Sequence, residues 1–123
     1  MGSTQSTNPE PTIESSKPSF FDNYLNETLK SHDIVIFSKT TCPYCDRAKE
    51  ALSKLNLNYH SIELDVSKNC PKEDCSNLAS SLMLMTRIRT VPQIFVNGKL
   101  IGGFTDLDAL IKSNKFEVVK SKN

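Results

Sequence analysis

The sequence predicts an α/β fold, a small sandwich in which helices cover both faces of a four-stranded mixed sheet. Helical and strand-like apolar patterns follow one another in the order helix, strand, helix, strand, helix, strand, strand, helix. A helical crossover joins the first two strands, which makes them parallel. The dipeptide Asn97-Gly98 lies between two short apolar runs and predicts a type I′ turn, so the last two strands form an antiparallel hairpin.

The composition is that of one soluble domain. The chain has 123 residues, of which 37% are hydrophobic and 24% charged, and a chain of this size can form a core without crosslinks. The formal net charge of +1 gives no reason to expect nucleic acid as a partner. No apolar run approaches the length of a transmembrane segment. Four cysteines in a chain without a visible secretory signal favour redox or metal chemistry over structural disulfides.

The composition of residues 1–17 is dominated by Ser, Thr, Pro and Glu and has few apolar side chains to bury. We therefore expect residues 1–17 to form a disordered arm and residues 18–123 to form a folded domain. The arm has no apolar stretch typical of a secretory signal and no arginine typical of a mitochondrial presequence, so we expect a cytoplasmic protein. Gly2 and Ser6 fit the N-myristoylation pattern, and a single acyl chain on Gly2 would give only weak membrane association.

Apolar residues spaced three and four apart predict helices over 18–31 and directly after the cysteine pair at 42 and 45. Between them, the β-branched run 33–38 predicts a buried strand. The residues expected to face the core from the two helices are Phe21, Tyr24, Leu25, Leu29, Ala48, Ala51, Leu52 and Leu55.

The second half of the chain predicts three more strands and two more helices. The strands are 59–65, 92–96 and 99–103. One helix covers 76–86, and Thr105 would cap the last helix with its hydroxyl, with Asp108 three residues further on. The residues expected to face the core here are Ile62, Leu64, Leu78, Leu82, Met85, Leu107, Leu110 and Ile111.

The segment Cys42-Pro43-Tyr44-Cys45 lies where the first strand ends and a helix begins. Proline suits the first helical turn, where its missing N–H costs no hydrogen bond. Cys42 would then lie at the helix N-terminus, where unpaired amides and the helix dipole favour a thiolate, and Lys39 adds a positive charge nearby. Cys45 is nearly one turn further along and should be less exposed. The pattern predicts that Cys42 attacks and Cys45 resolves.

Two other interpretations of the cysteine pair are open at this point. The pair could be chemically inert, or it could form a zinc site with Cys70 and Cys75 as the remaining ligands. The gap between Cys70 and Cys75 is looser than common zinc spacing, and both follow the second strand rather than facing the first. The strand-to-helix junction favours a redox pair over either alternative.

Three motifs, taken in order, resemble those of the dithiol glutaredoxins, a family of the thioredoxin-fold superfamily. They are Cys42-Pro43-Tyr44-Cys45, Thr90-Val91-Pro92 and Gly102-Gly103-Phe104-Thr105-Asp106. The resemblance covers about residues 19–114 and implies that 18–123 is a glutaredoxin domain with a thioredoxin-like sandwich. Thioredoxins usually carry a tryptophan before their cysteine motif, and this chain contains no tryptophan.

The resemblance also implies a glutathione site. A cis peptide bond before Pro92 should leave the backbone of Val91 to pair with the cysteinyl part of glutathione beside Cys42. Thr105 and Asp106, at the start of the last helix, should hold the γ-glutamyl end, because helix N-termini bind carboxylates. Gly102 should allow a close backbone approach. The implied contact residues are Lys39, Tyr44, Arg87, Thr90, Val91, Pro92, Gly103, Thr105 and Asp106.

The sequence departs from the family in two places. Many members carry a glutamine on the helix before the Thr-Val-Pro motif, where this chain has Ala79. We hypothesise that Arg87 or Arg89 replaces its contact with the glycine carboxylate of glutathione; the alternative is that both are solvated surface charges. Cys70 and Cys75 also lie outside the usual pattern, and they could be free thiols, a regulatory disulfide, oxidation sites or residues without a special role.

The resemblance implies a glutathione-dependent oxidoreductase that reduces protein–glutathione mixed disulfides and protein disulfides through Cys42 and Cys45. Glutathione would be a co-substrate, with no bound metal or organic cofactor, and we expect a monomer whose partners are glutathionylated or disulfide-containing proteins. One alternative is a glutaredoxin that holds a [2Fe–2S] cluster with glutathione, which Pro43 disfavours because cluster binders usually have Gly or Ser there. Another is a thioredoxin-type reductase served by a flavoprotein, which the missing tryptophan disfavours.

Overall fold

Four helices and four strands follow one another in the predicted order. The structure, a computed structural model, describes residues 20–65 and 72–119, apart from the side chains of residues 20, 21 and 72–76. The elements are α1 Phe20–Ser31, β1 Ile34–Ser38, α2 Pro43–Lys54, β2 His60–Glu63, α3 Lys72–Thr86, β3 Gln93–Val96, β4 Lys99–Gly102 and α4 Phe104–Lys112. The predictions for the arm at 1–17, for Gly2, for Cys70 and for the Cys75 side chain lie outside the described residues.

The four strands form one mixed sheet in the order β2-β1-β3-β4. β1 and β2 are parallel, and Ser38 lies opposite Glu63 in their register. β3 is antiparallel to both β1 and β4. The hairpin between β3 and β4 turns at Asn97 and Gly98, which have φ angles of 52° and 82°. Both values fit the predicted type I′ turn, in which the two central residues adopt positive φ. The predicted four-stranded mixed sheet is therefore confirmed.

The core has two layers because β1 is buried on both faces. Successive strand side chains point to opposite faces. Val35 and Phe37 pack on one side of the sheet, and Ile34 and Ile36 pack on the other. The first layer also contains Leu25 from α1 and Leu78 and Leu82 from α3. The second layer also contains Ala48 and Leu52 from α2 and Leu107 from α4. Helices thus cover both faces of the sheet, as the sequence predicts.

Three details of the prediction were wrong. Leu55 and Met85 were expected to face the core, but they are 43% and 39% exposed. Leu82 is the last residue of α3 in the core cluster, so the final turn of the helix extends beyond that cluster. The last helix was expected to begin with Thr105 as its cap, but α4 starts at Phe104 and its N-cap is Gly103. Within the described residues, no helix is long and apolar enough to cross a lipid bilayer.

Candidate active site

Cys42 lies at the N-terminus of α2 and is partly exposed. It is the N-cap residue, with extended backbone angles, and Pro43 occupies the first helical position. The backbone N–H of Cys45 donates to Cys42 Sγ at 3.1 Å. This N–H is one of the groups that a helix leaves unpaired at its start. Cys42 therefore combines access from solvent with a hydrogen-bond donor that stabilises negative charge on sulfur.

Cys45 has the opposite environment, because its side chain is completely buried. Burial is the main reason why the pKa of the Cys45 thiol is raised to about 11, and a hydrogen bond with Cys42 raises it further. The backbone N–H of Lys39 acts in the other direction and lowers this pKa. Both Cys42 and Cys45 are free thiols. The two thiols, one helical turn apart, thus differ in their access to solvent.

The loop before β3 comes close to Cys42. The Cys42 thiol donates a weak hydrogen bond to the Val91 carbonyl oxygen, with a sulfur–oxygen distance of 3.8 Å. The peptide bond between Val91 and Pro92 is cis, as the sequence resemblance implied. Gln93 holds the preceding loop in place, because its buried side-chain NH₂ donates to the carbonyl oxygens of Ile88 at 2.9 Å and Thr90 at 3.2 Å.

A pocket of about 320 Å³ lies along this loop. Its walls come from the start of α2, the loop before β3, and the junction between β4 and α4. The lining residues are Tyr44, Ile88, Thr90, Val91, Pro92, Gln93, Gly102, Gly103, Phe104, Thr105 and Asp106. The structure therefore brings together seven of the nine residues that the resemblance implied as glutathione contacts. The other two, Lys39 and Arg87, do not line the pocket.

Lys39 and Arg87 are exposed and lie beside the site rather than in its wall. The carbonyl oxygen of Lys39 accepts a hydrogen bond from the Cys42 backbone N–H at 3.2 Å. Arg87 follows the end of α3 with a φ of 63° and immediately precedes the lining residue Ile88. Arg89 is exposed as well. Ala79 packs against the core layer of α1 and α3.

The N-terminus of α4 forms one end of the pocket. The Asp106 carboxylate accepts a hydrogen bond from the Gly103 backbone N–H at 3.0 Å, and this bond closes the start of the helix two residues earlier than a Thr105 cap would. Gly102 has a φ of 118°, and a Cβ atom there would overlap the Asp106 carboxylate. A side chain at this position would displace Asp106 and strain the backbone. Thr105, in the first turn, is exposed.

Two aromatic residues stand together in the pocket wall. The rings of Tyr44 and Phe104 have centroids 6.1 Å apart, and the Arg47 guanidinium lies 5.2 Å from the centroid of the Tyr44 ring. Sequence reasoning assigned a role to Tyr44 but not to Phe104, although Phe104 lies inside the third motif. It also missed Gln93, and the available signal was an amide side chain at the start of an otherwise apolar strand.

A half-buried polar network lies at the carboxyl ends of β1 and β2. Glu63 Oε1 accepts from the Ser38 hydroxyl at 2.7 Å, and Glu63 Oε2 accepts from Lys49 Nζ at 2.8 Å and from the Ser61 hydroxyl. Burial alone would raise the pKa of Glu63, but these three hydrogen bonds outweigh it and hold the pKa below its ordinary value. Sequence reasoning missed this network entirely.

The described residues contain no cluster of three or more His, Cys, Asp or Glu side chains placed to hold a metal ion. The zinc interpretation needs Cys70 and Cys75, whose side chains lie outside the described part of the chain, so it is not tested here.

Comparison with known proteins gives a consistent result. A family model described as Glutaredoxin matches residues 34–101. Glutaredoxin-C4, chloroplastic, of Oryza sativa subsp. japonica is 40% identical over 110 residues, which cover 89% of this chain and 79% of the rice protein. The crystal structure of a buckwheat glutaredoxin–glutathione complex superposes with a TM-score of 0.70 at 30% identity, covering 87% of this chain and 89% of the buckwheat chain.

Some relatives are considerably longer than this chain. Glutaredoxin-2, mitochondrial, of Mus musculus is 43% identical over 93 residues, which are 76% of this chain and 56% of the mouse protein. The chain therefore spans about half the length of the mammalian relatives it matches. The mouse and rice relatives are named for mitochondria and chloroplasts, so the cytoplasmic location expected from this sequence stays a prediction.

Proposed function

The chain belongs to the glutaredoxin family, and we propose that it is a glutathione-dependent thiol–disulfide oxidoreductase. The observation that carries the proposal is the position of Cys42. Its accessible sulfur receives a helix N-terminal hydrogen bond and lies 3.8 Å from the Val91 carbonyl oxygen, which belongs to a residue of the pocket wall. A nucleophilic sulfur beside a peptide-sized pocket suits attack on the sulfur of a bound disulfide.

The pocket supports glutathione as the bound thiol because its two sides match the two ends of the γ-glutamyl-cysteinyl unit. The Val91 backbone, next to the cis peptide bond, can pair with the cysteinyl amide groups as one strand pairs with another. The unpaired N–H groups at the start of α4 suit the γ-glutamyl carboxylate. Asp106 donates no hydrogen, and its carboxylate can accept from the ammonium group in addition to Gly103.

Positive charge near the pocket supports binding of the remaining glycine carboxylate. Lys39 and Arg87 lie outside the pocket wall, but both side chains are long and exposed, and each adjoins a residue of the site. We propose that Arg87 approaches the glycine carboxylate from the side of Ile88. A solvent-exposed contact of this kind contributes modestly, because water and salt screen it.

The first route needs Cys42 alone. The Cys42 thiolate attacks the glutathione sulfur of a protein–glutathione mixed disulfide, a sulfur–sulfur bond forms between Cys42 and glutathione, and the protein sulfur leaves with the electron pair and takes up a proton. A second glutathione thiolate then attacks the glutathione sulfur on Cys42. This step releases glutathione disulfide and restores the Cys42 thiolate. The protein substrate is reduced, one free glutathione is oxidised, and the other half of the glutathione disulfide comes from the mixed disulfide.

The second route adds Cys45 and suits protein disulfides. Cys42 forms a mixed disulfide with one substrate sulfur, and Cys45 then attacks Cys42 to release the substrate as a dithiol. The resulting Cys42–Cys45 disulfide is opened by glutathione. The complete burial of Cys45 is compatible with this role, since its only disulfide partner in the step is Cys42, three residues away.

The test is glutathione-dependent reduction of a glutathionylated peptide by the wild-type chain, Cys42→Ser and Cys45→Ser. We expect Cys42→Ser to lose at least about 1,000-fold in rate, since the nucleophile is gone, while Cys45→Ser stays within about threefold of wild type. An inactive wild type whose visible spectrum shows an iron–sulfur chromophore would support the cluster alternative instead. Activity that requires thioredoxin reductase rather than glutathione would contradict the proposed glutathione site.

A further inference from the structure

The side chain of Asn97 fastens the C-terminal segment 115–119 to the hairpin turn. Its NH₂ group donates to the Val119 carbonyl oxygen at 2.6 Å, and its carbonyl oxygen accepts from the Val119 backbone N–H at 2.8 Å. We call these two hydrogen bonds the Asn97 clamp. Because β3 pairs with β1 so that its last residue, Val96, lies opposite Ile34, the clamp lies at the start of β1. Cys42 follows the other end of that strand, so the clamp is remote from the candidate active site.

The C-terminal segment covers one layer of the core. Phe116 and Val118 pack against the layer that α2 and α4 form with one face of the sheet. Val119 takes part mainly through its backbone, since its side chain is 74% exposed. The Asn97 backbone is anchored separately, because its N–H donates to the Asp33 carbonyl oxygen at 2.7 Å. The Asn97 side chain is therefore free to serve the segment alone, and it pairs with Val119 as one strand residue pairs with another.

Gly98, which follows Asn97, makes the clamp residue chemically reactive. The backbone nitrogen after an asparagine can attack the side-chain carbonyl carbon, and glycine hinders that approach least because it has no Cβ. Asn97 is the one asparagine of the 123-residue sequence that precedes a glycine. Both residues are exposed, and no atom lies within 4 Å of a Cβ added at Gly98. Water and hydroxide can therefore reach the atoms that would react.

We propose that Asn97 is a deamidation site, that the docked C-terminal segment slows the reaction, and that the reaction releases the segment. The Gly98 nitrogen loses its proton to hydroxide and bonds to the Asn97 side-chain carbonyl carbon, and the side-chain nitrogen takes up a proton and leaves as ammonia. Water then opens the cyclic imide at either of its carbonyl carbons, which gives aspartate or isoaspartate. The reaction consumes water, releases ammonia and involves no oxidation. It does not depend on the function proposed above.

The clamp opposes ring closure because it holds both polar atoms of the Asn97 amide. The side chain has to turn toward the Gly98 nitrogen, so both hydrogen bonds to Val119 must break first. These bonds are exposed and lie close to the chain terminus, and such contacts open by local fluctuation rather than by global unfolding. The rate of deamidation therefore follows the fraction of time for which the C-terminal segment is detached from Asn97.

The products cannot rebuild the clamp. In the aspartate product an oxygen replaces the NH₂ group, so two acceptors without a hydrogen between them face each other at the 2.6 Å contact with Val119. In the isoaspartate product the main chain of the turn gains a methylene group, which moves the carboxylate away from its original position. Detachment of the segment then becomes permanent, and Phe116 and Val118 lose the contact that holds them over α2 and α4.

The first measurement follows the tryptic peptide 90–99, in which Asn97 is the only asparagine. The full chain is incubated at neutral pH for weeks, and mass spectrometry compares the deamidated fraction with that of an unincubated sample. We expect deamidation at Asn97 but not at Asn56, which is also exposed and at positive φ but precedes leucine. Gly98→Ala should slow the reaction at least about tenfold, because its methyl group hinders the nitrogen. An unmodified wild type, or an unchanged rate in Gly98→Ala, would overturn the proposal.

Val119→Pro tests the clamp, because proline has no N–H to donate to Asn97 but keeps its carbonyl oxygen. We expect this variant to deamidate about fivefold faster than wild type, since losing one hydrogen bond raises the detached fraction by a factor of that order. Val119→Ala is the matched control, because it keeps the N–H and changes only an exposed side chain. It should react at the wild-type rate. Equal rates in Val119→Pro and wild type, or the same acceleration in Val119→Ala, would overturn the proposal.

Release of the segment is read from hydrogen exchange of the Val119 amide, followed by NMR in ¹⁵N-labelled chain. We expect exchange about tenfold faster in Asn97→Asp than in wild type, because the clamp loses one bond and gains a repulsive contact. Asn56→Asp adds the same charge at another exposed asparagine of positive φ and should leave this exchange unchanged. If Asn97→Asp fails to fold, the deamidated fraction of aged wild type, separated by its charge, gives the same measurement. Unchanged exchange in the deamidated chain, or an equal increase in Asn56→Asp, would overturn the proposal.

Discussion

The active site has two parts that are built in opposite ways. The exposed rim consists of Cys42, the loop with Val91 and the start of α4, and the interior consists of Cys45 and the network of Ser38, Lys49 and Glu63. The rim is open, and its hydrogen bonds come from backbone groups at the ends of helices and from the loop with the cis peptide bond. The interior is less accessible, since Cys45 and Ser38 are fully buried and Glu63 and Lys49 half-buried, and its hydrogen bonds come from side chains of two neighbouring parallel strands and of α2. A separation of three residues at a helix start is therefore enough to give two cysteines different chemistry.

The strongest test of this difference is the substrate range of Cys45→Ser. We expect reduction of a protein disulfide to fall by more than about 100-fold, because the mixed disulfide on Cys42 can no longer be resolved internally. Reduction of a glutathionylated peptide should change little, since that route uses only the rim. The measurement compares kcat/KM of the variant on the two substrates. Equal losses on both would show that the rim and the interior do not act separately.

The next largest effect concerns the far side of the rim. Gly102→Ala should weaken glutathione binding about tenfold and cost about 1–3 kcal/mol of unfolding free energy, because the new Cβ displaces the Asp106 carboxylate and the backbone is at positive φ. The measurements are KM for glutathione and urea denaturation.

Gly98→Ala is the matched control for Gly102→Ala. Gly98 also has positive φ, at 82°, but no atom lies within 4 Å of an added Cβ. We expect a loss of about 1 kcal/mol in stability and no change in KM. If Gly98→Ala raised KM as much as Gly102→Ala does, backbone strain rather than the position of Asp106 would explain the effect.

A moderate effect is expected in the interior when the pH falls. The pKa of Glu63 is held below its ordinary value of 4.5 in the folded protein, so its contribution to stability is complete above that value and is lost as the pH falls through the folded pKa. Glu63→Gln should cost about 1–3 kcal/mol at pH 7, and its difference from wild type should shrink below pH 4.5. Urea denaturation at pH 7 and pH 3.5 measures this. A difference that stays constant between the two pH values would contradict an ionised Glu63.

The smallest expected effect is at the outer edge of the rim. Arg87→Ala should raise KM for glutathione about two- to fivefold, because an exposed charge contributes little to binding. Arg89→Ala, two residues away and also exposed, is the control and should leave KM unchanged. An unchanged KM in Arg87→Ala would exclude Arg87 from the glutathione site, and a larger effect from Arg89→Ala would reverse the assignment.

The rim was largely predictable from the sequence, because it is made of local motifs. The position of Cys42 at a helix N-terminus follows from Pro43 and the preceding strand, and the turn at Asn97 and Gly98 follows from the dipeptide alone. The helix start at Gly103 was missed, because Thr105 with Asp108 three residues further on matches the capping-box pattern. Here the Asp106 carboxylate bonds to the Gly103 N–H instead, and the helix begins two residues earlier.

The interior could not be predicted in the same way. Parallel pairing of β1 and β2 followed from the crossover, but the register did not, and the register is what places Ser38 opposite Glu63. In sequence terms Glu63 is one polar residue in an alternating strand, and Lys49 is one of several charges on a helix. Only the packing of α2 against the sheet brings Lys49 within 2.8 Å of the carboxylate.

The most direct test of the account is to trap the first intermediate. Cys45→Ser is mixed with a glutathionylated peptide, the reaction is quenched with acid, and the protein is analysed by mass spectrometry of its proteolytic fragments. The account predicts glutathione in disulfide linkage to Cys42 and release of the peptide as a free thiol. The substrate peptide on Cys42, with glutathione released, would contradict the proposed orientation of the substrate, and so would an adduct on another cysteine.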